Sequence, residues 1–139
     1  MPDPICRVEI ASVDQVDRVW PFVAGYFDRA CEKTGGDTTP QYLWSESRSG
    51  RAFLVISRID DDILSGSVWR FEEWTSGRKL KCLVIGGRHM EIWKDPHRKF
   101  VEDMGRTGGA KTIVTEGLRG WQRVFPDARV IRQVYEVDI

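Results

Sequence analysis

The stretch from Lys79 to Thr115 constrains the fold most. An apolar run, Lys79 to Ile85 (KLKCLVI), ends on Gly86-Gly87. A helical pattern follows from about His89, with Met90, Trp93, Phe100, Val101 and Met104 on one stripe, and Gly105, Gly108 and Gly109 close it. A second short apolar run, Thr112 to Thr115 (TIVT), comes next. Two strands joined through a helix pack as a parallel pair in one sheet, because a tight turn cannot join parallel strands. Pro96 lies inside the helical pattern and predicts a kink there, or a loop and a restart.

The region before this crossover reads as a meander. Ala52 to Ile59 (AFLVISRI) and Ile63 to Phe71 (ILSGSVWRF) flank the turn Asp60-Asp61-Asp62, and Gly66 suggests a bulge. Glu72 to Arg78 reads as the loop into the strand at Lys79. Upstream, Arg7 to Ile10 alternates as a first strand. Ser12 and Gln15 then form a capping box ahead of Val16, Val19, Trp20, Val23 and Phe27 at helical spacing. Pro21 should bend or split that helix. Thr39-Pro40 starts a second, short helix to about Ser49, which buries Leu43. After Thr115 come a short helix, Leu118 to Phe125, and a last strand, Arg129 to Val137 (RVIRQVYEV). The order is β-α-α-β-β-β-α-β-α-β. This is an α+β class, with one mixed, mostly antiparallel sheet, one parallel pair and helices on both faces. The apolar positions predicted to be buried are Val19, Trp20, Val23, Leu54, Ile56, Val84, Ile85, Trp93, Ile113 and Val114.

Bulk properties narrow the classes. The 139 residues suit a single domain, 1–139, without repeats or a linker. Lys+Arg and Asp+Glu both number 21. Zero net charge argues against a dedicated nucleic-acid binder, and it leaves little self-repulsion against homo-oligomerisation or incorporation into a larger assembly. Cys6, Cys31 and Cys82 lack CxxC spacing, and His89 and His97 stand eight apart, so no metal site is expected. There is neither a signal-like start nor a membrane-length apolar run, which predicts a cytoplasmic protein.

The element order resembles that of the Gcn5-related N-acetyltransferase (GNAT) superfamily across Arg7 to Val137. Specific features add to it: the strand ending in Gly86-Gly87, Met90-x-x-Trp93 on the next helix, Gly117-x-x-Gly120-Trp121-x-Arg123-Val124, and Val134-Tyr135 near the end. In these the chain is similar to small GNAT-like proteins encoded by bacteriophages and prophages. The resemblance implies acetyl-CoA in the cleft between the splayed strands, with cofactor-binding residues Val84, Ile85, Gly86, Gly87, Arg88, His89 and Met90. Its pyrophosphate would rest on the helix N-terminus, where free N–H groups and glycines favour phosphate. The family's fuller glycine loop is reduced here to Gly86-Gly87, and Phe125 stands where the family often carries a proton-donating tyrosine.

Three residues are candidates for the proton transfers. Glu73, beside Glu72 and Trp74, and Glu116, at the end of the TIVT strand, are candidate bases; Tyr135 is a candidate substitute acid. Each has an ordinary alternative: solvated carboxylates for the glutamates, a packed ring for the tyrosine. Two functions stay open. One is transfer of an acyl group from acyl-CoA to a primary amine. The other is a non-catalytic GNAT-like protein that binds a protein partner or has a structural role in a virion, working in the host cytoplasm or in the particle.

Overall fold

The computed structural model describes residues 5–33, 38–116 and 121–139. Five strands form one sheet in the order β1 (Arg7–Ala11), β2 (Phe53–Ile59), β3 (Asp62–Trp74), β4 (Gly77–Gly87) and β5 (Thr112–Thr115). The first four are antiparallel neighbours, and β5 runs parallel to β4. Helices α1 (Val16–Glu32) and α2 (Pro40–Arg48) cover one face. On the other face lie α3 (Met90–Thr107) and α4 (Trp121–Val124). This is the α+β arrangement that the crossover predicted.

Local chemistry explains the element starts. The Ser12 amide donates to Gln15 Oε1 at 3.0 Å and opens a short 3-10 turn that leads into α1. Thr39 Oγ1 accepts from the Tyr42 amide at 3.2 Å, and Pro40 takes the first turn of α2, where no N–H is needed. Both interior prolines are absorbed: α1 runs through Pro21 and α3 through Pro96 as single helices, so neither is split. Amphipathic packing outweighs one lost backbone bond in each.

The sheet alternates sides as period-two geometry demands. Leu54, Ile56 and Val68 pack under α1 and α2, while Val55, Trp69, Leu80 and Cys82 pack under α3 and α4. Val23, Leu54, Ile56, Val84 and Trp93 are buried as expected, but Val19, Trp20, Ile85, Ile113 and Val114 are only half-buried. Ile113 and Val114 lie on β5, the edge strand of the sheet.

Three further expectations are corrected. Gly66 pairs in register with Ile56 and Gly86 and is not a bulge. A Cβ there would stand 2.8 Å from Val23 and 3.0 Å from Phe27, so the glycine lets α1 lie directly on the sheet. The supposed loop after Phe71 is strand: Glu72 faces Lys79 and Glu73 faces Arg78, closing a hairpin at Trp74 and Gly77. The last strand is absent, since residues 129–139 carry no strand pairing and are exposed. Alternating apolar residues supply β-propensity, but a strand exists only with a partner edge. The expected helix at Leu118 is seen only as Trp121–Val124; residues 117–120 lie outside the described residues.

Candidate active site

The site grows from an irregularity in β4. Val68 on β3 faces Val84 and the next residue, Trp69, faces Cys82, so Leu83 has no opposite number. This bulge resets the alternation. Leu80 and Cys82 point to the α3 side, whereas Leu83 and Val84 both pack on the α1 side. The parallel partner stops at the same place. β5 pairs with Lys79 through Cys82 only, and Thr115 Oγ1 donates to the Cys82 carbonyl at 3.1 Å where the ladder ends. From Val84 to Gly87, β4 pairs with β3, and from Leu83 to Gly87 it has no β5 residue opposite. Ile113 faces Leu80, so the opening between the two strands begins only at Leu83 and Glu116.

A cavity of about 360 Å³ lies against the bulge, lined by Thr38, Thr39, Tyr42, Arg70, Lys81, Cys82, Leu83 and Glu116. Its charges form a row. The Tyr42 hydroxyl accepts from Arg70 Nη1 at 2.9 Å, and Arg70 donates to Glu72 at 3.0 Å. Lys81 Nζ lies 3.8 Å from Glu72 and 3.4 Å from Glu116, and Arg132 also donates to Glu116. Burial pushes the Glu72 carboxyl up, but hydrogen bonds from Trp74 and Arg70 and the charge of Lys81 bring it below the usual range. The Arg132 hydrogen bond, helped by Lys81, lowers Glu116 against a smaller effect of burial. Glu116 is thus held ionised by Arg132 and Lys81, and it lines the cavity. Thr38 Oγ1 is buried and makes no hydrogen bond among the described residues.

The sequence candidates separate here. Glu116 lines the cavity. Glu73 is exposed and bonded to Arg78 across the hairpin, away from the cavity lining. Tyr135 is 82% exposed, and its hydroxyl bonds to Gln133. It borders a larger groove between β5 and the C-terminal segment, which shares Lys81 and Glu116 with the cavity. The glycine turn is shaped by packing: a Cβ on Gly86 would stand 3.1 Å from the Tyr26 carbonyl oxygen, and one on Gly87 2.4 Å from that of Leu64. The Arg88 amide donates to Leu64 at 2.8 Å, and its guanidinium pairs with Asp62 and donates to Tyr26. His89 caps α3 in the left-handed region (φ 56°) and lies 3.6 Å from Glu91 in the first turn. Val84 and Ile85 sit on the part of β4 that extends past β5.

Sequence reasoning missed Thr38, Tyr42, Arg70, Lys81 and Leu83 as parts of the site. The Lys81 side chain is only 16% exposed and is ion-paired. Its position was a signal in itself, because a lysine between two core residues of a central strand must find a partner.

No protein-family profile matches this chain, and no curated protein matches it either. Solved structures do. A ribosomal-protein-alanine N-acetyltransferase from Brucella melitensis biovar Abortus 2308 superposes with a TM-score of 0.69 at 12% identity, covering 97% of this chain and 99% of that one. A GCN5-related N-acetyltransferase from Ralstonia eutropha JMP134 gives 0.70 at 13% identity, with 96% and 99% covered. The chain has the GNAT fold. An aminoglycoside acetyltransferase from an uncultured soil metagenomic sample, solved with sisomicin, shares this GNAT fold at a TM-score of 0.67 and 9% identity, with 96% and 97% covered. Among the described residues no His, Cys, Asp and Glu cluster is placed to hold a metal, and no helix is long and apolar enough to cross a membrane.

Proposed function

We propose that this protein transfers an acyl group, acetyl in the first instance, from acyl-CoA to an amine held in the cavity beside Leu83. The observation that carries this reading is the half-paired β4, whose bulge opens onto a cavity that holds an ionised carboxylate. The fit to acyl-CoA is good at the acyl end, where the β4 edge from Leu83 to Ile85 extends beyond β5. At the pyrophosphate end the residues are Gly86, Gly87, Arg88, His89 and Met90, and Arg88 would have to exchange Asp62 for phosphate. Bound acetyl-CoA supplies an activated acyl group. Backbone amides at the bulge are the donors that would hold negative charge on the carbonyl oxygen. Glu116 anchors the amine, takes its proton and passes it to solvent. One nitrogen–carbon bond forms, one carbon–sulfur bond breaks, and the sulfur leaves with the electron pair and is then protonated. For that last proton, the Tyr42 hydroxyl lines the cavity, whereas Tyr135 and Glu73 do not.

Saturating acetyl-CoA should raise the melting temperature. At about a hundred times the dissociation constant it adds roughly 2.7 kcal/mol, and each kcal/mol is worth about 2–8 °C in a domain of this size. Arg88→Ala should shrink that rise, and Glu116→Gln should keep it while slowing CoA release. No shift with acetyl-CoA, longer acyl-CoAs or free CoA rejects the enzyme. It would leave the non-catalytic reading, a GNAT-fold interaction or structural protein of the kind that phages encode.

A further inference from the structure

We infer that the acceptor is a small amine that also carries an acidic group, and that polycationic amines are excluded. This deepens the proposed acyl transfer and rests on it. Among the described residues the cavity-lining charges are Arg70, Lys81 and Glu116, two cations against one carboxylate. Glu72 pairs with both cations without lining the cavity, and Arg132 adds a further cation behind Glu116. Three cations thus stand against two carboxylates in the row. A polyamine would add positive charge to a site that already has an excess, whereas an acidic amine would balance it.

The row also has a direction. Glu116 stands where the β4–β5 ladder ends, beside the bulge, and receives the amine end of the acceptor. Arg70 and the Tyr42 hydroxyl stand at the other end of the row, with Lys81 between. They suit a carboxylate or a phosphate. Thr38 lines the same cavity, and rotation of its buried hydroxyl, unbonded among the described residues, toward the ligand supplies one more donor to such an anion. Lys81, close to Glu116, also disfavours a protonated amine at that end, and only the neutral amine attacks a carbonyl carbon. The volume of about 360 Å³ admits an amino acid or an aminoalkyl phosphate.

The test is a panel of acceptors with acetyl-CoA held saturating: β-alanine, aminoethyl phosphate, ethanolamine, spermidine and sisomicin. kcat/KM for an acidic member should exceed that for ethanolamine by about tenfold or more, the usual scale of a charge-assisted hydrogen bond. Spermidine and sisomicin should be poorest. Arg70→Gln should raise KM for acidic amines at least about fivefold more than it raises KM for ethanolamine, so that the preference collapses. Thr38→Val, which removes a hydroxyl bonded to nothing in the described chain, should lower kcat/KM for acidic amines severalfold without lowering the melting temperature. Faster turnover of spermidine or sisomicin overturns the inference, as does an equal loss on all amines in Arg70→Gln. So does acetyl-CoA binding without turnover of either acidic amine. A missing acetyl-CoA shift instead overturns the acyl-transfer reading beneath it.

Discussion

His97 shows how a single buried polar side chain is accommodated. It is fully buried on α3, with Nδ1 2.5 Å from Ser57 Oγ and 3.3 Å from Ser65 Oγ, and Nε2 2.6 Å from Ser67 Oγ. The Trp69 indole N–H donates to Ser67, and the Trp93 ring packs edge-on against the imidazole. The three serines satisfy both ring nitrogens without bringing a charge, so burial pushes the imidazole from 6.5 down to about 4. The sign follows. Below about 6.5 the unfolded chain takes up a proton that the folded chain refuses until about 4. Stability conferred by the neutral ring is therefore complete above 6.5 and is lost as pH falls to 4, by about 3 kcal/mol. Denaturant titrations of the native protein and of His97→Asn should show slopes that differ by that amount over this window. Parallel slopes would mean that the imidazole titrates normally. The sequence showed His97 only as one of two histidines with no metal partner. The serines that hold it are spread over β2 and β3, and only strand register brings them together.

At the scale of elements, most of the fold was legible. The crossover from β4 to β5, the meander and both N-caps follow from local chemistry that the chain carries in order. The site was less legible because it depends on register. Nothing in KLKCLVI says that Leu83 is the extra residue; that depends on which β3 residue each side chain meets. Tyr42 and Arg70 meet across 28 positions of sequence, so neither could be paired from spacing alone. The bulge makes a sharp prediction. Val84 and Cys82 already face consecutive β3 residues, so deleting Leu83 restores a plain ladder with every flanking residue on its present side. The deletion variant should fold, losing on the order of 1–2 kcal/mol from one half-buried leucine. It should lose acyl transfer at least a hundredfold. A variant that unfolds, or one that keeps its activity, would show that the bulge has a different role.

At the scale of the whole molecule, the two helical layers close around the sheet, and the C-terminal segment stays outside both cores. Asp127 is held by two hydrogen bonds from Arg98, at 2.6 and 2.9 Å, and the arginine also lies over the Phe125 ring. Beyond it, Val130, Val134, Tyr135 and Val137 are each more than 70% exposed. The Arg132 contacts to Glu116 and the Trp74 ring tie this segment to the body from the surface. A chain ending at residue 128 should keep its unfolding free energy within about 1 kcal/mol, since exposed groups contribute little. A larger loss in a denaturant titration would mean that the segment packs after all. One consequence concerns proteolysis. Trypsin should cut first after Arg129 and Arg132, where the backbone has no sheet partner, and digestion should then pause. The product would be a resistant fragment whose C-terminal boundary is set by the Arg98–Asp127 pair.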